Sequence, residues 1–218
     1  MVVFEVEGPE LPGTARNTWD RLQWDGRAGR FYSEKREIDG GYTSSFSPKD
    51  GPNFTVSAFD AGLSARINVI RYRKTWIDKD GRIFSDYEQA GGKTARSWIQ
   101  AVVRFRSGEP WLFSAKGSVS RSFEVLLHFV SKRLEVTSGR YLGKAGLPPS
   151  LWWVSVGSTR QQVGTGRTKM TMVVPELFSP ATDVTDAAGF SAHYVGKELH
   201  KKNAALYREL DGWVQQWR

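Results

Sequence analysis

Cations and aromatic rings alternate along several stretches of this chain, and that pairing of residue types can hold an unpaired polynucleotide. Arg71-Tyr72-Arg73-Lys74-Thr75-Trp76 is the densest run. Arg96-Ser97-Trp98, Arg104-Phe105-Arg106, and Trp111 with Lys116 extend the pattern. Arg160, Arg167 and Lys169 bracket a polar, glycine-containing turn. Lysine and arginine neutralise phosphates, while exposed rings stack on bases of any identity. Both types also have a plain structural use. Rings fill strand faces, and charged side chains keep edge strands from pairing with other chains. The residues expected to touch nucleic acid are Arg71, Tyr72, Arg73, Lys74, Trp76, Trp98, Arg104, Arg106, Trp111, Lys116, Arg160, Arg167 and Lys169.

Other chemistries find little support. Zero cysteines exclude disulfides, thiolate metal sites and cysteine nucleophiles, and fit a reducing compartment. His128 lies inside the apolar run Leu126–Val130 and reads as a helix residue. His193 and His200 are seven apart, without the closer partners a zinc site wants. Asp78 and Asp80 resemble the start of a calcium loop, but the twelfth position is Gln89 where a bidentate glutamate is needed. Gly164 and Gly166 precede Arg167 and a strand, whereas a phosphate loop leads through Lys-Ser/Thr into a helix. Asp86, Glu88 and Glu109 show no two-metal spacing. The expectation is a protein that is not an enzyme and uses no metal or cofactor.

The elements that must position these residues follow from periodicity. The 218 residues, 39% hydrophobic and 25% charged, suffice to bury a core. The net charge of +8 favours an anionic partner. Val2–Val6 could pair as a strand, Glu7–Gly29 reads as a loop or arm, and Gly40-Gly41 and Ser47–Pro52 are turn signals. Ser64–Ile77 is a strand, Asp78–Gly81 a tight turn, and Arg82–Tyr87 the returning partner. In Ser97–Phe105 the odd positions Ile99, Ala101, Val103 and Phe105 are apolar and should face the core. The even positions Trp98, Gln100, Val102 and Arg104 would face a ligand. Asn68, Ile70, Tyr72, Lys74 and Trp76 share one face of the preceding strand under strict alternation, and would join them as one platform.

Trp111–Lys116 is the next strand. The period then changes: Phe123, Leu126, Leu127, Val130 and Leu134 form a helical stripe, with Ser118 or Ser120 as cap and Gly139 as stop. Leu151–Gly157 and Lys169–Glu176 are strands on either side of a turn at 160–167, and Met170, Met172 and Val174 should face the core. Ala192–Trp217 reads as a helix with Leu199, Leu206, Leu210, Trp213, Val214 and Trp217 on a stripe.

The predicted fold class is mainly β: an OB-like β-barrel of five or more strands, with one helix between strands and a C-terminal helix. An α+β sandwich remains the open alternative. Residues 1–50 form an N-terminal arm with strands packing on the core, 51–180 the barrel domain, and 181–218 a helical extension. Over Phe54–Glu176 this layout resembles OB-fold single-stranded-DNA-binding proteins of phages and mobile elements. The likeness is carried by element order and by Tyr72, Trp76, Trp98, Arg104, Trp111 and Lys116. It implies largely sequence-independent coating of single-stranded DNA, or of RNA, in replication or recombination, in the cytoplasm or at the nucleoid. Many such proteins end in an acidic tail, and this chain ends Trp213-Val214-Gln215-Gln216-Trp217-Arg218 instead. The C-terminal helix would then make a homo-oligomer contact or pack on the barrel. No signal peptide and no membrane span are expected, since no run of about 18 apolar residues occurs. The rival readings are a structural or interaction subunit of a nucleoprotein or phage assembly, and an enzyme acting on nucleic acid, for instance a nuclease.

Overall fold

The structure is a computed structural model that describes residues 19–38, 42–44, 53–57, 65–106, 108–142, 148–164, 166–177 and 187–215. The strands are β1 Arg21–Asp25, β2 Arg30–Ser33, β3 Tyr42–Ser44, β4 Asn53–Ser57, β5 Ala65–Ile77, β6 Ile83–Phe84, β7 Arg96–Phe105, β8 Trp111–Lys116, β9 Trp153–Val163 and β10 Met170–Leu177. Helix α1, Gly117–Leu142, sits between β8 and β9. Helices α2 Ala187–His193, α3 Lys197–Glu209 and α4 Asp211–Gln215 follow the last strand. The protein is therefore mainly β, with one helix between strands and a helical C-terminal part, as its periodicities predict.

The strands pair in the order β10-β9-β5-β7-β8-β1-β2-β4-β3, with β6 beside β5. Pairing is antiparallel except between β1 and β8, so the sheet is mixed. It curls into a half-barrel, consistent with an OB-like β fold. The edge strand β10 comes round to the β1–β2 turn. There the Val173 N–H donates to Gly26 O at 2.8 Å, and Trp24 Nε1 donates to Val173 O at 2.9 Å. Inside the curl, Phe31 is ringed edge-on by Trp24, Phe113 and Phe105 at centroid distances of 5.0, 5.4 and 5.8 Å. Edge-to-face geometry sets the positive rim of one ring against the negative face of another. Helix α1 lays Val119, Phe123, Leu126 and Leu127 on this inner core beside Ile99, Ala101, Val103 and Phe105.

Several sequence expectations hold closely. Strand β8 has the predicted bounds, and Gly81 takes φ +85 in the turn after β5. Asp78 Oδ1 accepts the N–H groups of Asp80 and Arg82, so the aspartate closes the turn. Other expectations need correction. Within the predicted arm, Arg21–Asp25 is a strand, because Leu22 and Trp24 alternate with polar neighbours and reach the core. The return strand after Gly81 is only Ile83–Phe84. Helix α1 starts at Gly117, with Ser120 buried inside it rather than capping it, and continues through Gly139. One glycine costs an interior helix position only about 1 kcal/mol relative to alanine. Strand β9 runs on to Val163, so the turn begins at Gly164. Met170 is exposed, whereas Met172 packs on the core and Val174 lies within it.

The single C-terminal helix is three helices, interrupted near Gly196 (φ +88) and Leu210. Leu206, Leu210, Trp213 and Val214 keep the predicted stripe and pack on Ile70 and Val102. The sheet thus lies between α1 on its inner face and α3–α4 on its outer face. No helix among the described residues is long and apolar enough to cross a membrane. The expectations for Val2–Val6, Gly40-Gly41, Ser47–Pro52 and Trp217 lie outside the described residues.

Candidate nucleic-acid interface

A β-bulge decides where the predicted contact residues go. The β5–β7 register shifts between Val69 and Arg71. Before it, Asn68 stands opposite Arg104; after it, Arg71, Arg73 and Thr75 stand opposite Val102, Gln100 and Trp98. Tyr72 and Lys74 stand opposite Ala101 and Ile99, on the inner face. A one-residue slip exchanges the two faces of everything beyond it. Tyr72, Lys74 and Trp76 therefore do not share a face with Trp98, Gln100 and Arg104, and the single platform expected from strict alternation is not formed.

Nor is the outer face open. Arg73 is buried, its Nε and Nη2 donating to Gln100 Oε1 at 2.8 and 2.6 Å and its Nη1 to Trp213 O at 2.9 Å. Its guanidinium lies 4.4 Å from the Trp213 ring centroid, and burial lowers its pKa to about 10. Arg71 pairs with the Asp211 carboxylate and sits 3.9 Å from the Tyr207 ring centroid. Trp98 is 5% exposed, with Nε1 donating to Ser114 Oγ at 2.7 Å. Arg104 is buried and donates to Gly108 O at 2.8 Å; burial lowers its pKa, against an opposing pull from Glu109. Helices α3 and α4 thus give Arg71 and Arg73 a carboxylate, backbone carbonyls and two rings, in the places that a phosphate and bases would have taken.

The remaining predicted residues divide by exposure. Tyr72 packs partly on the inner core, where burial raises its phenol pKa and Glu124 and Tyr207 add to the rise. Lys74 Nζ pairs with Glu124 of α1 at 2.6 Å and lies 4.6 Å from the Trp76 ring centroid. Trp76 is half-buried against Tyr87, centroid to centroid 4.8 Å. Trp111 is buried beneath the Arg36 guanidinium at 4.0 Å, and Arg36 pairs with Asp20 at 2.9 Å. Arg106, Lys116, Arg160, Arg167 and Lys169 are exposed. Lys116 lies 5.2 Å from the Trp98 ring centroid.

The exposed set gathers most densely on the ribbon formed by the outer ends of β9 and β10. Gly164 (φ +87) and Gly166 (φ +55) turn its tip. A Cβ on Gly164 would lie 2.4 Å from Thr168 O, so the tip requires glycine there. Between the ribbon and α1 runs a groove of about 720 Å³. Helix α1 contributes Arg121, Val125 and Phe129 to its lining, the ribbon contributes Gln161 and Gln162, and Glu176 stands on β10. Val125 is 68% exposed and Phe129 42%. With Met170 at 56%, they are the exposed large apolar side chains among the described residues. Met170 pairs with Val163, which also lines the groove. Apolar surface gathered in one rimmed place marks an interaction site more often than scattered exposure does.

Sequence reasoning missed Arg121, Val125, Phe129, Gln161 and Gln162. A signal was present in α1. Arg121, Val125 and Phe129 recur every four residues beside the core stripe, giving the helix a second, narrower face. Helix α3 carries a further exposed cationic series, Lys197, Lys201 and Lys202, without apolar surface of this kind. His200 Nδ1 and the Tyr194 hydroxyl are 3.2 Å apart, and no group of residues suited to a metal occurs among the described residues. No family model, curated protein or solved structure matches this chain.

Proposed function

We propose that this protein binds single-stranded nucleic acid, DNA in the first instance, with little sequence preference. The contact surface in this reading is the β9–β10 ribbon and the groove beside α1, not the outer sheet face. One observation carries it: exposed cations Arg121, Arg160, Arg167 and Lys169 accompany the place where the described surface opens its large apolar side chains. The net charge of +8 supports a polyanionic partner. The OB-like architecture is one on which oligonucleotide binders are built, and the likeness to phage-type single-strand binders enters here as support of the same kind. No catalytic step forms part of this reading.

The test is a fluorescence-anisotropy titration of a labelled single-stranded oligonucleotide across a salt series, with RNA and duplex DNA alongside. The expected result is affinity that falls with salt. The triple variant Arg160→Ala/Arg167→Ala/Lys169→Ala should bind more weakly. Its log–log salt dependence should be shallower by about 2, if each side chain neutralises one phosphate at about 0.7 per contact. Lys197→Ala/Lys201→Ala/Lys202→Ala is the control and should change the slope less. Unaltered affinity and slope in the ribbon variant would overturn the proposal.

A further inference from the structure

We infer that the edge of β5 receives this chain's own N-terminal segment, residues 2–7, as an added strand, independently of any nucleic acid. Strand β7 flanks one side of β5 from Ile67 to Ile77. On the other side, β9 pairs only over Ala65–Asn68 and β6 only over Trp76–Ile77. Among the described residues, no strand lies beside the stretch between them. An antiparallel partner takes the N–H and C=O groups of alternate residues, so those of the others point away from β7. A groove of about 440 Å³ runs along this edge. Val69, Ile70, Arg71, Tyr72, Arg73 and Lys74 of β5 all line it. Neighbouring residues of a strand point to opposite faces, so a cavity that touches all six lies on the edge. Ser131 of α1 stands on one wall with Tyr72 and Lys74. Tyr207 of α3 and Val214 of α4 stand on the other with Ile70 and Arg71.

Pattern, charge and tether select the occupant. Residues 2–7 read Val2-Val3-Phe4-Glu5-Val6-Glu7. As a strand they place Val2, Phe4 and Val6 on one side, and Glu5 and Glu7 with Val3 on the other. The groove is divided in the same way. The wall of α3 and α4 carries the Tyr207 ring and Val214, and the wall of α1 carries the Lys74 ammonium with the Tyr72 and Ser131 hydroxyls. The lining cations Arg71, Arg73 and Lys74 outnumber Asp211 and Glu124, the carboxylates that pair with Arg71 and Lys74. An acidic strand therefore suits the groove. Trp19 packs against the cluster that contains Ile70 and Val214, so residue 19 already lies near the groove. The eleven residues from 8 to 18 reach about 36–40 Å when extended, enough to turn back and lay residues 2–7 along the edge. Backbone hydrogen bonds to the edge supply the attachment, and the two walls fix which side chains face which way.

The chain has no cysteine, so introduced thiols report without background. The experiment places one cysteine in turn at each of positions 2–7 of the full-length protein, paired with Ser131→Cys or with Val214→Cys. Mild oxidation is followed by non-reducing electrophoresis. Circular dichroism of the single variants Ser131→Cys and Val214→Cys establishes that the fold is kept. With Ser131→Cys, the fastest link within one chain should come from position 3, 5 or 7. It should form about tenfold faster than from the even positions beside it, because thiols on side chains that point apart do not bridge. With Val214→Cys the preference should pass to positions 2, 4 and 6. Phe4→Asp, in the cysteine-free chain, should speed amide exchange in residues 71–75 and leave β8 unchanged. Links that form equally at all six positions, or at none, overturn the inference, as does unaltered exchange in Phe4→Asp. Links found only between two chains overturn it too, and make a second copy the occupant.

Discussion

Asn68 offers the sharpest test of whether the C-terminal helices hold the outer face closed. Its side chain is fully buried on β5 and donates from Nδ2 to Ser150 O at 3.0 Å and Trp152 O at 2.8 Å. Its Oδ1 accepts from Asn203 Nδ2 of α3 at 2.8 Å, and Asn203 also donates to Ser150 O at 3.0 Å. Asn68→Ala removes a donor from Trp152 O and the acceptor from one Asn203 N–H, while Ser150 O keeps Asn203. Two buried polar groups each lose a partner at about 1–3 kcal/mol apiece, so a loss of about 2–6 kcal/mol is expected. Asn203→Ala should cost less, about 1–2 kcal/mol. It deprives only Asn68 Oδ1, and it deletes Asn203 Oδ1, a buried atom without a hydrogen bond among the described residues. Urea denaturation followed by tryptophan fluorescence measures both, and a double-mutant cycle should return a coupling of about 1–2 kcal/mol across the amide–amide bond. An Asn68→Ala loss below about 1 kcal/mol would refute this account of how α3 is fastened. So would an Asn203→Ala loss larger than that of Asn68→Ala.

Two further outcomes follow from the same physics. The Tyr32 hydroxyl donates to Gln23 Oε1 at 2.8 Å, and burial, then the charges of Glu34 and Asp25, push its pKa up to about 12. The folded state retains this proton where the unfolded chain, at the ordinary value of 10.0, loses it. The resulting stabilisation is complete below pH 10 and disappears as pH rises towards about 12. The wild type should therefore lose stability relative to Tyr32→Phe across that window, and parallel denaturation midpoints would contradict it. Gly164→Ala should loosen the ribbon tip by about 1–2 kcal/mol, because an L-residue is strained at positive φ. Faster hydrogen exchange confined to the ends of β9 and β10 is the expected signature, and unchanged exchange would show that the tip tolerates a Cβ.

Short-range pattern was enough to read much of this fold. Alternation in Ser97–Phe105 identified the face of β7 that meets the inner core, and the stripe from Phe123 to Val130 identified α1. Asp78–Gly81 announced its own turn, and the stripe Leu206, Leu210, Trp213 and Val214 marked an apolar face even though the helix is broken. Each of these depends on residues a few positions apart, where backbone geometry ties spacing directly to direction.

The site depended on contacts that no local window contains. The bulge at Ile70 arises from pairing β5 with β7, and it moved Tyr72, Lys74 and Trp76 to the opposite face from Trp98 and Arg104. The basic and aromatic outer face looked ready for a ligand because rings and cations have the same sequence signature whether they meet a polynucleotide or the chain's own helix. Asp211, Tyr207 and Trp213 supplied that second partner from about 140 residues away. The length of the β9–β10 ribbon was hidden for a related reason. Arg160-Gln161-Gln162 has the composition of a turn, and only the ladder to Thr171–Val173 makes it strand. Sequence determined which faces are apolar, and tertiary structure determined which of the others are covered, because burial depends on what arrives from elsewhere in the chain.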